Sequence, residues 1–308
     1  MRYFAKIRLI GVSILCFIII AFTSSFIFAS EPPVGKPSQI CDPDTSLFPI
    51  MDSTKVPTTW RNFRKGVAMI VRTDDTCGTG FLYDDCCLVT AGHVIAGVIN
   101  HPEKVKVWFA YEDITEPYTK GNDCSPDTWD CCDLELNRDG YDVGVVYIKK
   151  KNGKYPGQSG YGLLPISSVG PQQGWGAYVI GHPGGRCKEY SHDSYATIIS
   201  NGTDPSCSTG EWSHGADTEP ISSGSPVFDD AGKVIGIHVG AGNHPDTCKN
   251  CFVPTASVYN WLMQQKPCGC IEDVPTLTQW GLIGLMLVLL AIATWVFFWR
   301  KKVVGVRT

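Results

Sequence analysis

Three side chains in this sequence have the chemical types that nucleophilic hydrolysis requires. His93 lies in the segment LVTAGHV, Asp142 opens the apolar run DVGVVYIK, and Ser223 lies in ISSGSPVFDD. A serine hydroxyl attacks well only when a base takes its proton, which a histidine can do near neutral pH while a carboxylate fixes its tautomer. Each segment has an ordinary explanation by itself, since aspartate and serine are frequent in turns. Taken together, the three segments predict a His–Asp–Ser triad.

The order of these residues along the chain favours one class of hydrolase. The order is His, Asp, Ser, whereas α/β-hydrolases have Ser, Asp, His and subtilisins have Asp, His, Ser. TAGHV is similar to the Thr-Ala-Ala/Gly-His segment of trypsin-like peptidases, and YDVGVVYI to their Asp-x-Ala-Leu segment, with Gly144 in place of alanine. SSGSPVF is similar to their Asp/Asn-Ser-Gly-Gly/Ser-Pro segment. Over residues 59–266 the chain therefore resembles a chymotrypsin-fold serine peptidase of the bacterial glutamyl-endopeptidase type.

This resemblance implies roles for the residues around the serine. Ser223 precedes the Gly-Ser-Pro triplet, so it rather than Ser222 matches the nucleophile. The backbone N–H groups of Ile221 and Ser223 would form the oxyanion hole. The family has glycine at the place of Ile221, and a β-branched residue there is a clear departure. The departure motivates a second hypothesis, a catalytically silent domain that acts as a surface-binding module, and an esterase is a more distant alternative.

Two sets of residues compete for the substrate pocket. Asp217 stands six residues before Ser223, where trypsin has the aspartate that binds arginine or lysine. Thr218 and His238 match the threonine and histidine that face the substrate carboxylate in glutamyl endopeptidases, and both side chains can donate hydrogen bonds to a carboxylate. Because two residues from separate segments agree, we expect cleavage of a protein or peptide substrate after glutamate, with Asp217 as the alternative pocket base.

Short runs of β-branched and aromatic residues, punctuated by Gly, Pro, Asp and Asn, predict an all-β fold. GVAMIVRT, GTGFLY, CLVTA and KVIGIHVG are examples, and TASVYNWLMQQK predicts one helix with Thr255 as its N-cap. We therefore expect two packed six-stranded antiparallel β-barrels of chymotrypsin type, followed by a C-terminal helix. We expect no metal and no cofactor, and a net charge of −4 gives no basic footprint for nucleic acid.

Fourteen cysteines indicate disulfide bonds if the domain is exported. The spacing favours Cys77 with Cys86 or Cys87, and Cys187 with Cys207. The stretch NDCSPDTWDCCDLELNRDG is expected to be a surface insert stapled by cystines, with a calcium site as the lesser alternative.

The N-terminus supports export. Residues 1–30 combine basic residues, an apolar run and small residues, as in a signal peptide, and an uncleaved anchor helix is the alternative. Residues 31–58 are rich in proline and are expected to be an extended lead-in to the peptidase domain at 59–266.

The C-terminus predicts a membrane anchor. After a linker at 267–273, the tail at 274–308 contains an uncharged run at 280–299, which is long enough for a transmembrane helix and is followed by RKK. The motif VPTLTQWG resembles the IPTL-CTERM sorting signal of Gram-negative bacteria, with Val274 in place of isoleucine. The resemblance implies an exosortase-like processing enzyme as a partner. The domain would then face the periplasm from the inner membrane, or be processed to the cell surface or outside.

Overall fold

The structure is a computed structural model, and it describes residues 40, 46–113, 124–192, 196–200, 202, 205–242, 249–265, 268, 281 and 284–295. The chain divides into two compact units, Met1–Val34 and Gly35–Thr308. All described residues belong to the second unit, so the predicted signal peptide at 1–30 lies outside them.

The first half of the peptidase domain is a closed β-barrel. Its six antiparallel strands are β2 (Val67–Arg72), β3 (Cys77–Asp84), β4 (Cys87–Thr90), β5 (Val105–Phe109), β6 (Asp127–Leu136) and β7 (Gly144–Ile148). They close in the order β2-β3-β4-β7-β6-β5. Apolar side chains such as Phe81, Leu88 and Val107 are fully buried in this half. The prediction of a six-stranded barrel is therefore confirmed for the first half.

The second half is an eight-stranded antiparallel sheet rather than a second six-stranded barrel. Its strands are β1 (Leu47–Pro49), β8 (Tyr178–Gly181), β9 (Glu189–Ser191), β10 (Ile198–Ser200), β11 (Trp212–His214), β12 (Pro226–Phe228), β13 (Val234–Ala241) and β14 (Asn250–Pro254). They are ordered β1-β9-β8-β12-β13-β14-β11-β10. The edge strands β1 and β10 have three residues each, and no ladder joins them in the described part of the chain. The prediction of a closed second barrel is wrong for this reason.

Three short helices complete the domain: α1 (Thr58–Phe63), α2 (Gly92–Ala96) and α3 (Thr255–Met263). Trp60 of α1 stacks on Tyr178 with ring centroids 4.2 Å apart, so the segment before the barrel is packed onto the second sheet. α3 confirms the predicted C-terminal helix. Thr255 is its first residue rather than its N-cap, and its hydroxyl donates to the carbonyls of Ser167 and Val234.

The C-terminal tail is only partly described. Residues 284–295 are helical, and their large apolar side chains are exposed. Within the described residues, no helix has both the length and the apolar character needed to cross a membrane. Three parts of this region lie outside the described residues. They are positions 280, 282, 283 and 296–299 of the predicted span, the linker apart from Cys268, and VPTLTQWG apart from its last residue. The transmembrane span stays a prediction.

Disulfide bonds are present, but the expected pairings are wrong. The described pairs are Cys86–Cys268, Cys124–Cys187 and Cys207–Cys251, and no disulfide joins Cys77, Cys87 or Cys131 within the described part of the chain. Each described bond joins residues at least 44 positions apart, whereas the expected pairs were close in sequence. Strand pairing brings distant segments together, and short spacing in the sequence does not reveal it.

Candidate active site

His93 and Asp142 are joined by two hydrogen bonds. Asp142 Oδ2 lies 2.6 Å from the ring Nδ1 of His93, and Asp142 Oδ1 accepts the backbone N–H of His93 at 2.7 Å. A carboxylate only accepts, so it selects the tautomer with a proton on Nδ1 and leaves Nε2 available as a base. Both side chains are largely buried, with exposures of 15% and 10%.

The strand order of the barrel explains why His93 and Asp142 are neighbours. His93 is the second residue of α2, which follows the end of β4, and Asp142 lies two residues before the start of β7. β4 and β7 are antiparallel neighbours with Thr90 opposite Gly144. The end of β4 and the start of β7 therefore share one edge of the barrel, which puts the histidine beside the carboxylate.

The loop before β12 carries Ser223 and is held from both halves of the molecule. The backbone N–H of Thr79 in β3 donates to the Ser223 carbonyl at 2.8 Å, and the N–H of Gly224 donates to the His238 carbonyl in β13 at 2.7 Å. Gly224 has a φ of +92°, and a Cβ there would stand 1.9 Å from the Thr79 carbonyl oxygen. Only glycine permits so close an approach of this loop to β3.

The Ser223 loop and the His93 helix meet at the start of β3. A Cβ on Gly78 would stand 2.6 Å from the Val94 side chain and 3.2 Å from the Ser223 carbonyl oxygen. The Ser223 hydroxyl has no hydrogen-bond partner among the described residues. Catalytic hydrogen bonds are often long without substrate and tighten when it binds.

The backbone around Ser223 has two amide groups without an acceptor among the described residues. Ile221 has a φ of +76°, the left-handed conformation that suits glycine. The N–H groups of Ile221 and Ser223 donate to no described residue, whereas the N–H of Ser222 between them donates to the Glu219 carbonyl at 3.0 Å. Two free amides on either side of a bonded one can serve a developing oxyanion. Ile221 thus takes the backbone shape of the glycine that it replaces.

Asp217 is turned towards the lead-in segment. Its side chain is fully buried, and Oδ2 accepts the backbone N–H of Ser46 at 2.9 Å and the Ser46 hydroxyl at 3.2 Å. Asp217 therefore does not face solvent. Thr218 next to it is also buried, and its hydroxyl oxygen has no hydrogen-bond partner in the described structure.

His238 lies in β13 and forms a buried pair with a second histidine. Its Nδ1 is 3.3 Å from Nε2 of His214 in β11. Burial, then the neighbouring His214 and His93, hold the pKa of His238 well below its usual value. Burial lowers the pKa of His214 to about 3. Both rings are therefore neutral at pH 7, and each can donate from only one nitrogen.

Several contacts at this site involve residues that the sequence did not single out. His214 lies three residues before Asp217, and Ser46 lies in the lead-in. Thr79 stands in the run GTGFLY, which the sequence marks only as a strand. A histidine so close to a candidate pocket residue could have been noticed, whereas the contacts of Ser46 and Thr79 have no local signal because their partners are more than 140 positions away.

Two groups of side chains have the proximity to share a metal ion, but their chemistry does not favour it. The groups are Cys86, Cys87 and Cys268, and Cys207, Glu211 and Cys251. In each group two of the sulfurs form a disulfide, and metal ligation requires thiolates. Within the stretch for which a calcium site was the lesser alternative, residues 127–136 form β6, Asp127 is paired with Lys151, and Cys124 forms a disulfide with Cys187.

The comparisons with known proteins agree on one fold. A family model described as a trypsin-like peptidase domain matches residues 78–237, just over half of the chain. A solved structure of a Glu endopeptidase in complex with MPD superposes with a TM-score of 0.52 at 17% sequence identity. The similarity covers 73% of this chain and 98% of that one. No curated protein matches the sequence.

Proposed function

Because the chain belongs to the trypsin-like peptidase family, we propose that it is a serine endopeptidase in which His93, Asp142 and Ser223 carry out the reaction. The observation that carries this proposal is the pair of short hydrogen bonds that Asp142 accepts from His93. A buried carboxylate that holds both the ring and the backbone of a histidine at the nucleophile loop has the role that a triad requires.

The proposed reaction follows from this geometry. Ser223 Oγ attacks the carbonyl carbon of the scissile peptide, and its proton passes to Nε2 of His93. Asp142 stabilises the imidazolium that forms, and the N–H groups of Ile221 and Ser223 hold the oxyanion. His93 then gives the proton to the leaving amine. Water activated by His93 releases the acid and restores the Ser223 hydroxyl.

A fluorophosphonate probe tests this proposal against the silent-domain alternative. We expect the probe to label Ser223, and labelling to disappear in Ser223→Ala but persist in Ser222→Ala. The matched pair controls for general accessibility because both serines lie in the same loop. A parent protein that is folded but not labelled would favour the catalytically silent binding module.

We further propose that the peptidase cleaves after glutamate. The carboxylate of Asp217 already accepts hydrogen bonds from Ser46. The buried hydroxyl of Thr218 has no hydrogen-bond partner among the described residues. His238 lies in β13, and its carbonyl accepts the N–H of Gly224 in the Ser223 loop. A substrate carboxylate could accept from both groups. The similar Glu endopeptidase structure is consistent with this specificity.

A peptide library digested by the purified domain, with cut sites read by mass spectrometry, tests the specificity. We expect cuts mainly after glutamate, and a loss of that preference in Thr218→Val and His238→Phe. An Asp217→Asn variant should keep the glutamate preference. Cuts mainly after arginine or lysine would reject the glutamyl pocket and restore Asp217 as its base.

Export and membrane anchoring are a separate proposal that rests on the sequence. We expect residues 1–30 to direct export and the 280–299 segment to hold the domain at the inner membrane until an exosortase-like enzyme acts. Truncation after residue 272 should release a domain of unchanged activity. Protease added to spheroplasts should digest the peptidase domain, and protection of residues 59–266 would overturn this topology.

A further inference from the structure

Ile221 occupies a backbone conformation that its side chain disfavours. Its φ is +76°, and a β-branched residue in the left-handed region is a rare exception. Such a conformation persists only when surrounding contacts hold it. These contacts are made to the two peptide units that flank Ile221. The carbonyl of each unit accepts a hydrogen bond from a donor outside the Ser223 loop.

The peptide unit before Ile221 is held by the segment GHPGG, residues 181–185. The backbone N–H of Gly184 donates to the Pro220 carbonyl at 2.7 Å. A peptide unit is planar and trans, so its C=O and N–H point in opposite directions. Holding the Pro220 carbonyl therefore directs the Ile221 N–H away from Gly184.

The peptide after Ile221 is held by the first barrel. The hydroxyl of Thr79 donates to the Ile221 carbonyl at 3.1 Å, and it accepts the backbone N–H of His182 at 3.2 Å. The ring Nδ1 of His182 lies 3.3 Å from the same hydroxyl. Since the only hydroxyl proton of Thr79 goes to Ile221, Nδ1 of His182 must be the donor in that contact. Burial keeps His182 neutral by lowering its pKa well below the usual value.

Two further features join the GHPGG segment to the Ser223 loop. Arg186 forms a two-point ion pair with Glu219, with Nη1–Oε2 and Nη2–Oε1 distances of 2.7 and 2.9 Å. Gly185 leaves room for the isoleucine, because a Cβ on it would stand 3.1 Å from Ile221 Cδ1. The segment thus fits the side chain and the backbone of Ile221 together.

We propose that Thr79 is a positioning residue which, with the Gly184 N–H, holds Ile221 in the left-handed conformation and directs its N–H into the oxyanion hole. This inference rests on the proposed peptidase function for its effect on rate. The backbone conformation itself does not depend on activity. Neither Thr79 nor the GHPGG segment touches the reacting atoms, so their effect is on the geometry of the hole.

The first test compares Thr79→Val, which removes the hydroxyl at nearly constant volume, with Thr79→Ser, which keeps it. We expect kcat to fall about 10- to 100-fold in Thr79→Val with little change in KM, by analogy with the loss of an oxyanion donor. Thr79→Ser should recover most of the rate. The affinity of a peptide aldehyde, whose hemiacetal oxygen occupies the hole, should fall in parallel with kcat. Equal kcat in parent and Thr79→Val would overturn the proposal.

Thr255→Val is the matched control. Thr255 is also a buried threonine whose hydroxyl donates to backbone carbonyls, but it lies in α3 and contacts Ser167 and Val234. A similar loss of thermal stability with unchanged kcat is expected in this variant. A fall in kcat equal to that of Thr79→Val would show that destabilisation alone explains the effect, and would overturn the assignment.

Two measurements separate this inference from the proposed function. In an Ile221→Gly background the left-handed conformation is intrinsically accessible, so Thr79→Val should cost less than it does in the parent. A crystal structure of Thr79→Val should show Ile221 outside the left-handed region. If the φ of Ile221 stays near +76° in this variant, Thr79 does not hold the conformation, and the proposal is wrong whether or not the parent protein is active. Failure of the parent to react with a fluorophosphonate would instead count against the peptidase function alone.

Discussion

The two halves of the molecule position the proposed catalytic groups in different ways. In the closed barrel, adjacent strands β4 and β7 deliver His93 and Asp142 to one edge, and two short hydrogen bonds join them. In the open second sheet, Ser223 lies on a loop whose neighbour Ile221 is strained. Contacts from β3 and from the GHPGG segment hold that loop. The proposed acid–base pair is thus assembled within one barrel, whereas the loop that carries Ser223 depends on contacts between the halves.

This difference predicts which parts of the site tolerate substitutions in the residues around them. The register of paired strands fixes the positions of their side chains without strain in the local backbone, since strand pairing already contributes to folding. A left-handed isoleucine carries a cost of about 1–3 kcal/mol that other contacts must offset. Substitution of His93, Asp142 or Ser223 should therefore act on the chemistry, whereas substitution of the residues that hold the Ser223 loop should act on geometry and stability.

The largest effect is expected at the nucleophile. Ser223→Ala should lower kcat by about 10⁶-fold, because triad residues act as a unit and little of their contribution survives the loss of one. Ser222→Ala should stay within about tenfold of the parent, since its hydroxyl only accepts the Glu219 N–H at 3.3 Å. Peptide hydrolysis by both variants measures this. The reverse pattern would assign the nucleophile to Ser222.

Asp142→Asn tests the barrel half. An amide can keep only part of the two hydrogen bonds to His93 and favours the wrong ring tautomer, so kcat should fall by about 10⁴-fold with the fold intact. Asp139→Asn makes the same charge change in the exposed part of the same loop and should leave the rate unchanged. A comparable rate for Asp142→Asn and the parent would separate Asp142 from the chemistry.

Acid should destabilise the second half before the barrel. His182, His214 and His238 all lie in the second half, and burial lowers the pKa of each. The unfolded chain takes up their protons below about pH 6.5 while the native state does not, so stability present above that pH is lost as pH falls. Three such groups give a slope of up to about 4 kcal/mol per pH unit.

Urea unfolding between pH 7 and pH 5 measures this slope. His214→Gln, which keeps a polar side chain without a basic nitrogen, should reduce it by about a third. His101→Gln, which removes an exposed histidine of the first half, is the control. Stability that does not change over this pH range would show that the three rings take up protons in the native state as readily as in the unfolded chain.

The smallest effect is expected at Ile221. Ile221→Gly removes the conformational strain but loses side-chain contacts and adds freedom to the unfolded chain, so a net gain of about 1 kcal/mol is expected. Ile221→Val keeps the β-branched side chain and should give no gain. Chemical denaturation of the three proteins measures the difference. A loss of stability on Ile221→Gly would show that the side chain contributes more than its backbone conformation costs.

The sequence predicted the parts of the site that local motifs define. The segments around His93 and Asp142 each sit at a strand end, so barrel pairing alone brings them together. The strand β6 was missed because DTWDCCDLEL contains four acidic residues and buries only three of its ten residues, so that it resembles a surface insert. The open second sheet was missed because its strands are mostly three residues long, and so short a run carries almost no periodic signal.

Long-range contacts account for the rest. The disulfide partners, the Ser46–Asp217 contact and the Thr79–Ile221 contact each join segments that come together only in the folded chain. The sequence did identify Ile221 as a departure from the family. It could not indicate that Thr79 and Gly184 compensate for it, since neither residue is unusual in its own segment.

The Cys86–Cys268 bond also has a mechanical consequence. It ties the chain just after α3 to the residue that precedes β4, across a separation of 182 positions. A pulling force applied to the chain beyond residue 268 would pass through this covalent link into the first barrel and bypass α3. Such a force would act on the hydrogen-bonded strands of the closed barrel rather than detach the short helix α3 from the surface. Reduction of this one bond would redirect the load onto α3, and the domain would then unravel from its C-terminal end.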